Sequence, residues 1–545
     1  MKAPNIIILN PDEMRADSMG HMGNPAAHTP HLDDFAAQEA VSFENAFCQN
    51  PVCVPSRCSF LTGLYPHVNG HRTMNHLLHE NETSLFKELK EAGYYVWMNS
   101  RNDLVAGQIE ELAESHADEI YYYDKSKPVP KIPLDALKGN MGRAEGEPIY
   151  SHYEGIKIQA GGSDLDDTRA ACERILNPVE PEKPLCLFLG WTNPHPPYTT
   201  TETYRRLIND SKIPKRIRYE ETEGKSRIIG RLKELTGMQD YKETQWKELC
   251  ATYLAQCAMI DELFSMVCNA LKEAGEYENS AIFFLSDHGD FTGDYGLPEK
   301  CQNSFEHCLT RVPLLIKPPS GEDVDPGTAK GLAELVDFYA TVMDYAGVKP
   351  GHTQFGISLR PVIADRKRQL RKFVFCEGGR NPGEVHCDEF HVDGPSGPPK
   401  TNVYWPRLTV QAEDEAHEKG TMIFDGRYKY IRRPSGRDEF YDLASDPGER
   451  FNIVGKISKE RLAVYQSEML DWYQRTCDIV PFTYDSRFTF ERVWAVCRSL
   501  CPEGEEKRVQ EAIREGMGIQ QAVEYCIMLH NRSGKSMEAA LKKEI

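Results

Sequence analysis

Long apolar runs and an excess of positive charge are both missing from this chain of 545 residues. No uninterrupted apolar run approaches the ~20 residues that a membrane-spanning helix needs. The 64 basic residues are outnumbered by 83 acidic ones, which gives a net charge of −19. Because such a field does not attract phosphate backbones or anionic lipid, we expect neither nucleic acid nor a membrane as a partner.

We expect neither a signal peptide nor a disulfide framework in this sequence. The apolar stretch Ile6–Leu9 is short and is followed at once by polar residues, without a small-residue cleavage site. The 16 cysteines are spread along the chain without a dense framework or a paired CxxC zinc pattern. We therefore expect a cytoplasmic protein whose cysteines are mostly reduced.

Apolar runs of strand length recur along the chain and are separated by helical patterns. Alternation of this kind predicts an α/β fold, with helices on both faces of a large mixed, mostly parallel sheet. The predicted strands are Asn5–Leu9, Pro184–Gly190, Ala281–Ser286 and Val312–Ile316, and the helical patterns between them include Ser84–Ala92 and Thr252–Ala274.

Polar residues follow three of these predicted strands directly. They are Asp12-Glu13, Asn193-Pro194-His195 and Asp287-His288. Because ligands of open α/β sheets collect beyond the carboxyl ends of the strands, these clusters mark the candidate active face.

Changes in the pattern of strand-like and helical segments divide the chain into three parts. We predict a catalytic α/β domain over 1–370, a smaller α+β domain over 371–480 and a helical extension over 481–545. Residues 121–162 lack periodicity and predict a long surface excursion beside a substrate pocket. In the extension, Met537–Lys543 has a helical pattern.

The segment Cys53-Val54-Pro55-Ser56-Arg57, followed by Leu61-Thr62-Gly63, is the most specific signal in the chain. It resembles the signature of the type I sulfatases of the alkaline-phosphatase-like superfamily. The resemblance covers roughly residues 4–455. Further matching segments are Asp12 with Arg15 and Asp17, Thr29-Pro30-His31-Leu32-Asp33, Thr192 to Tyr198, Ser286 to Asp290, Tyr441-Asp442-Leu443 and Asp446-Pro447.

The resemblance implies that Cys53 is a precursor, which a separate formylglycine-generating maturation enzyme oxidises to formylglycine. The hydrated aldehyde is a geminal diol, which attacks sulfur with one hydroxyl and later expels sulfate by using the other to re-form the aldehyde. A serine ester does not have this second route.

The resemblance also implies a metal site. A sulfate ester is anionic, so a catalytic site needs a cation where charge accumulates. The family implies one Ca²⁺, held by Asp12, Asp287, His288 and the modified Cys53. Glu13 occupies the place of a second aspartate in many members, and we expect it to be a ligand as well.

Three cationic groups complete the site that the family implies. Arg57 is expected to orient the diol, because a guanidinium offers rigid donors and stays charged. His195 and Lys300 fall where the family places groups that touch the sulfate and the leaving oxygen, and either is a candidate to protonate the departing alkoxide. The alternative readings are a loop histidine between prolines and an exposed lysine.

One segment departs from the family pattern. Many sulfatases follow Ala-Gly-Tyr with Gly-Lys-Trp-His, whereas here the corresponding residues are Ser100-Arg101-Asn102-Asp103. Arg101 then replaces the lysine and keeps its charge, while Asp103 replaces the histidine. His71 and Asp103 are both candidates for substrate binding and for the base of the elimination step. The alternative is that residues 101–103 are solvated charges at a strand end.

The expected activity is hydrolysis of a small sulfated substrate, with an exo-acting carbohydrate sulfatase for sugars derived from glycosaminoglycans or mucins as the leading reading. An arylsulfatase and a phosphonate monoester or phosphodiester hydrolase of the same superfamily are the alternatives. The non-enzymatic alternative is a catalytically dead protein that binds anions. The joint presence of the expected site residues argues against it, and these are Cys53, Asp12, Arg57, His195 and Asp287. The sequence leaves open whether the protein forms a homo-oligomer.

Overall fold

The computed structural model describes residues 3–106, 110–122, 153–158, 163–392, 394–400, 402–482 and 487–532. Most of the predicted excursion over 121–162, and the predicted helix Met537–Lys543, lie outside the described residues. Two compact units are present, the first formed by residues 1–350 and 354–478 and the second by 351–353 and 479–545.

The strands in the described residues belong to one large sheet, one small antiparallel sheet and one two-stranded pair. In chain order, β1 to β15 are Asn5–Asp12, Val41–Phe47, Tyr95–Asn99, Glu119–Tyr121, Tyr153–Ile156, Leu185–Pro194, Tyr198–Thr200, Ser280–Leu285, Arg311–Val312, Leu314–Lys317, Gly327–Glu334, Val374–Gly378, Gly420–Phe424, Tyr428–Arg432 and Glu439–Asp442.

Strand β1 lies near the middle of the large sheet, whose order is β11-β2-β10-β8-β1-β6-β3-β4, with β9 pairing with β2. It is parallel to both neighbours, and Ile8 lies opposite Phe188 of β6 and Phe283 of β8. Strand β10 is antiparallel to β8 and to β2. The prediction of a mixed, mostly parallel sheet is confirmed.

Both faces of β1 are buried, which explains its apolar run Ile6–Leu9. Ile6 and Ile8 face one hydrophobic core, to which the helix Cys53–Thr62 also contributes. Ile7 and Leu9 face a second core, formed largely by the helix Glu243–Glu273.

The first unit has helices of several lengths in its described residues, and Cys53–Thr62 and Glu243–Glu273 are among those that cover these two faces. The helices of seven or more residues are Pro30–Gln38, Cys53–Thr62, Leu85–Glu91, Glu110–His116, Asp164–Leu176, Arg227–Thr236, Glu243–Glu273, Val336–Ala346, Trp405–Gln411 and Lys459–Thr476, and the shorter ones are Pro66–Asn69, Glu202–Arg205, His307–Thr310 and Arg360–Ala364.

The helix Glu243–Glu273 is, by length and hydropathy, the one described helix that qualifies as a candidate membrane span. However, 78% of its most apolar window is buried inside the protein. Its apolar residues therefore serve the core beside the large sheet, as those of a central helix in a globular fold do.

Strands β12 to β15 form the smaller, antiparallel sheet. The helix Lys459–Thr476 packs on it, and the ring of Trp472 stacks on that of Phe375 with centroids 4.5 Å apart. This sheet and helix confirm the α+β character predicted for the C-terminal part of the fold.

The second unit is a small helical cluster. Its helices are Phe490–Cys497, Glu506–Arg514 and Ile519–Arg532. Val493, Val509 and Ala522 lie in its hydrophobic core.

Shortening a central residue of β1 is expected to destabilise the first unit. Ile8→Ala leaves a cavity between the sheet and its helices and should lower the free energy of unfolding by about 2–5 kcal/mol. Urea denaturation measures this change. Val464→Ala, at a half-exposed helical position, is the control, and an equally small effect of both substitutions would contradict the prediction.

Candidate active site

The ends of three neighbouring strands bring the predicted site residues together. Asp12 is the last residue of β1, Asp287 and His288 follow β8 closely, and His195 comes directly after β6. Because β8, β1 and β6 are adjacent and parallel, their carboxyl ends meet at one edge of the sheet, as expected for a ligand site in this class of fold.

Cys53 enters this edge as the first residue of the helix Cys53–Thr62. Its thiol donates to Asp12 Oδ1 over 3.3 Å, and its sulfur lies 3.2 Å from His288 Nε2. The helix is tied to the strand end, because Ser56 Oγ donates to the Asp287 carbonyl over 2.6 Å. It ends at Gly63, whose φ of 71° is readily adopted by glycine.

Arg57 is fully buried and joins two strand ends. Its Nε donates to Asp287 Oδ2 over 2.8 Å and its Nη2 donates to Asp12 Oδ2 over 3.0 Å. Since Arg57 lies four residues after Cys53, both side chains share one face of the helix. A third bond, from Nη1 to the carbonyl of Arg101 over 2.7 Å, fixes the following segment.

Asp12 is a buried carboxylate with two arginine partners, Arg57 and Arg101. Burial alone raises the pKa of a carboxyl, but the charges of Arg101 and Arg57 outweigh it and hold the pKa of Asp12 well below its usual range. Asp12 is therefore ionised at neutral pH.

The donor atoms of Asp12, Cys53, Asp287 and His288 all lie within 4.8 Å of one another, and all four residues are buried. His288 Nδ1 is 3.0 Å from the Gly289 carbonyl. Because a carbonyl only accepts, the proton is assigned to Nδ1, and the lone pair of Nε2 faces the cluster. Two carboxylates and one imidazole fit a divalent cation, with Ca²⁺ favoured by the oxygens.

Glu13 sits beside this cluster and binds Lys300 with both carboxylate oxygens. Lys300 donates to them from its backbone nitrogen over 2.8 Å and from Nζ over 2.9 Å. Glu13 Oε2 also lies 3.5 Å from His195 Nε2. Glu13, Asp12 and His195 form a second group of close donor atoms. Glu13 therefore contacts Lys300 and His195 and lies beside the predicted metal site.

Lys300 and His195 have different charge states at neutral pH. Burial lowers the pKa of Lys300, but the neighbouring Cys53 and Glu13 outweigh burial and raise it well above its usual value. Burial and the charge of Lys300 hold the pKa of His195 well below its usual value. The lysine is therefore protonated and the histidine neutral.

The two predicted substrate-binding residues lie in different places. Asp103 Oδ2 is 3.6 Å from Arg57 Nη1 and therefore belongs to the cluster. His71 is engaged elsewhere, with Nδ1 2.9 Å from the His76 carbonyl and Nε2 3.1 Å from Glu82 Oε1. The geometry therefore brings Asp103, and not His71, to the other site residues within the described chain.

Glu299 and Arg407 are two site residues that sequence reasoning missed. Glu299 Oε1 lies 3.4 Å from Lys300 Nζ and accepts from Arg407 Nη1 over 3.0 Å. The pair Glu299-Lys300 has the appearance of a solvated charge pair in the sequence, and Arg407 is 107 positions beyond Lys300, so neither carries a local signal.

Three residues of the site have left-handed backbones although none is glycine. The φ angles are 68° at Glu13, 48° at Asp103 and 47° at Glu299. Non-glycine residues keep such angles when the surroundings fix them, and they concentrate at functional sites.

A family model described as Sulfatase matches residues 4–348. The chain therefore belongs to the sulfatase family. Its enzyme class is that of the sulfuric ester hydrolases, which agrees with the cluster of carboxylates, cations and Cys53 at the sheet edge.

Individual relatives are distant but nearly of full length. An arylsulfatase of Clostridium perfringens is 25% identical over 84% of this chain and 92% of its own. An N-acetylglucosamine-6-O-sulfatase of Bacteroides thetaiotaomicron is 22% identical, with coverages of 87% and 86%. Among solved structures, the phosphonate monoester hydrolase of Agrobacterium radiobacter has a TM-score of 0.66 at 19% identity and covers 88% of this chain and 97% of its own. The last likeness supports the fold.

Removing Arg57 is expected to destabilise the protein, because it leaves Asp12 and Asp287 buried without a shared partner. Arg57→Ala should lower the free energy of unfolding by about 3–5 kcal/mol. The stability that ionised Asp12 contributes is present above its unfolded pKa of ~3.9 and is lost as pH falls through its lower folded pKa. In the variant this loss should begin at higher pH.

Urea denaturation at a series of pH values checks both statements. Arg57→Lys is the control, since it keeps the charge but lacks the planar fork that reaches two carboxylates. An unchanged pH dependence in Arg57→Ala would count against the assigned role of Arg57.

Proposed function

We propose that this enzyme hydrolyses a sulfate monoester of a small carbohydrate and that residue 53 acts after conversion from cysteine to formylglycine. The position of Cys53 carries the proposal. Its sulfur lies at the helix start, 3.3 Å from Asp12 Oδ1 and 3.2 Å from His288 Nε2. It stands where a nucleophile and a divalent cation would share one anionic group.

Formylglycine and a divalent cation would supply the central chemistry. Hydrated formylglycine provides one hydroxyl that attacks sulfur and a second that lets the aldehyde re-form when sulfate leaves. A divalent cation, for which we propose Ca²⁺, would be held by Asp12, Asp287 and His288 and would offset the charge of the sulfate.

The cationic side chains then have distinct roles. Arg57 keeps Asp12 ionised and fixes Asp12 and Asp287 in place, because it donates to both carboxylates. Arg101 is partly exposed beside Asp12, so we assign it to sulfate oxygens. Both guanidiniums act by fixed charge and geometry, and neither has to move a proton.

Lys300 is our candidate for the group that stabilises the leaving oxygen. Its ion pairs with Glu13 and Glu299 keep it charged, and a cation favours the negative charge that grows on that oxygen as the bond to sulfur breaks. His195 Nδ1 is 2.6 Å from the Pro196 carbonyl, which fixes its proton there. Neutral His195 therefore presents an unprotonated Nε2 to the site. For the elimination step, Asp103 is the better placed of the two candidate bases.

The substrate class is inferred from the relatives. A relative named N-acetylglucosamine-6-O-sulfatase supports a sulfated sugar, and relatives named arylsulfatase make an aryl sulfate the alternative. We propose an exo-acting enzyme that takes small sugars, because a net charge of −19 does not favour binding a long polyanion.

Conversion of residue 53 is expected to be required for turnover. The peptide that contains residue 53 should be about 18 Da lighter when the protein is made in a host with the maturation machinery. Matured protein should hydrolyse members of a panel of sulfated mono- and disaccharides, whereas Cys53→Ala should lose all activity. Peptide mass spectrometry and sulfate release measure the two. Activity that survives in Cys53→Ala would reveal a different nucleophile.

Sulfate esters are expected to be better substrates than phosphonate esters with the same leaving group. The rates of the matured enzyme on an aryl sulfate and on the matching aryl phosphonate rank the two chemistries directly. A larger kcat/KM for the phosphonate would replace the sulfatase assignment of this site with a phosphonate monoester hydrolase.

A further inference from the structure

Glu299 is a buried carboxylate that lies near both candidate groups for the leaving-group side of the site, the ammonium of Lys300 and the neutral ring of His195. Its Oε1 lies 3.4 Å from Lys300 Nζ and 4.0 Å from His195 Nε2. The side chain is only 2% exposed, so solvent does not screen these contacts as it screens surface pairs. Glu299 can therefore influence Lys300 without touching the substrate.

Arg407 holds Glu299 from the opposite side. Its Nη1 donates to Glu299 Oε1 over 3.0 Å, and the guanidinium lies over the ring of Tyr404, 4.7 Å from the ring centre. Arg407 Nη2 is also 3.9 Å from Glu389 Oε2. Arg407 belongs to the helix Trp405–Gln411, so the position of Glu299 is set by a part of the chain remote from it in sequence.

The backbone of Glu299 is fixed as well. Its N–H donates to the Tyr198 hydroxyl over 2.7 Å, and that hydroxyl donates to Asp290 Oδ2 over 2.7 Å. With φ at 47°, the residue adopts a conformation that non-glycine residues keep when surrounding contacts determine it. Side chain and backbone are therefore both held in one arrangement.

A lysine ammonium depends more than an arginine guanidinium on neighbouring groups that fix its position. Its ammonium sits on a flexible stem of four carbons and has three N–H donors in a tetrahedral arrangement. Glu13 accepts a hydrogen bond from Lys300 Nζ over 2.9 Å, and the Glu299 carboxylate lies 3.4 Å from the same nitrogen as an ion-pair partner. The two carboxylates together restrict the positions that the ammonium can take.

We propose that Glu299, held by Arg407, is a positioning residue that keeps the ammonium of Lys300 aimed at the leaving oxygen. The inference rests on the proposed function, because it gives Lys300 the role assigned there. Glu13 and Glu299 then divide the task, with Glu13 binding the ammonium and Glu299 restricting its position.

Kinetics of matured variants test this role. Glu299→Ala should lower kcat by about 10- to 100-fold, the scale found for residues that orient catalytic groups. KM should change much less, since the charge on the leaving oxygen develops in the transition state. Glu299→Gln keeps an acceptor for Lys300 and Arg407 and should recover part of kcat. A kcat within about twofold of the parent value in Glu299→Ala would overturn the inference.

A double-variant comparison separates positioning from general damage. Because Glu299 acts through Lys300, adding Glu299→Ala to Lys300→Ala should cost much less than Glu299→Ala costs alone. Full additivity of the two losses would overturn the inference.

Arg371→Ala is the matched control for Arg407→Ala. Arg371 has the same 11% side-chain exposure and forms buried ion pairs with Glu334 and Asp337. Both variants should lose stability, but only Arg407→Ala should lose kcat when rates are measured where both are folded. An equal kcat in these two variants would speak against a role for Arg407.

A structural readout distinguishes failure of this inference from failure of the proposed function. If matured parent enzyme turns over no sulfate ester, the proposed function fails. Crystal structures of parent and Glu299→Ala protein still report on Lys300. Loss of its 2.9 Å contact with Glu13, or several conformers of the side chain, is expected in the variant. A single unchanged conformer of Lys300 would overturn the inference.

Discussion

The bridge that Arg57 makes between Asp12 and Asp287 is the interaction on which the rest of the site depends. Two carboxylates at the ends of adjacent strands would repel each other in a buried environment. One guanidinium with a rigid fork binds both, at 3.0 Å and 2.8 Å, and is delivered by the helix that also begins with Cys53. Cys53, the two carboxylates and their counter-charge are therefore positioned by one helix against one sheet edge.

Charge compensation continues outward from this bridge. Glu13 binds Lys300 and Glu299 binds Arg407, so carboxylates and cations alternate from Asp12 towards the helix Trp405–Gln411. Each buried charge has an opposite partner, which limits the cost of removing it from water. The same alternation fixes long side chains that would otherwise be mobile.

Much of this arrangement could be predicted from the sequence. The apolar runs of β1, β6 and β8 and the polar residues after them identified the active edge, because parallel strands place their carboxyl ends together. The resemblance to the sulfatases supplied the candidate nucleophile precursor Cys53, its neighbour Arg57 and the candidate metal ligands. Asp103 also reached the cluster, although its role in catalysis stays a proposal.

Other features could not be predicted, and the reasons are physical. His71 follows the motif closely, yet Glu82 and the His76 carbonyl take both of its ring nitrogens. Glu299 depends on a left-handed backbone and on Arg407, and neither a single φ angle nor a contact across 108 positions leaves a periodic pattern. Such contacts exist only when the tertiary structure brings distant segments together.

The place of β1 in the large sheet has a consequence for biosynthesis. Although β1 is made almost first, its neighbours β6 and β8 begin at residues 185 and 280. A ribosome must therefore release more than half of the polypeptide before the innermost strand can pair on both sides. Until then the segment around residue 53 has no finished sheet to dock on and stays within reach of other proteins.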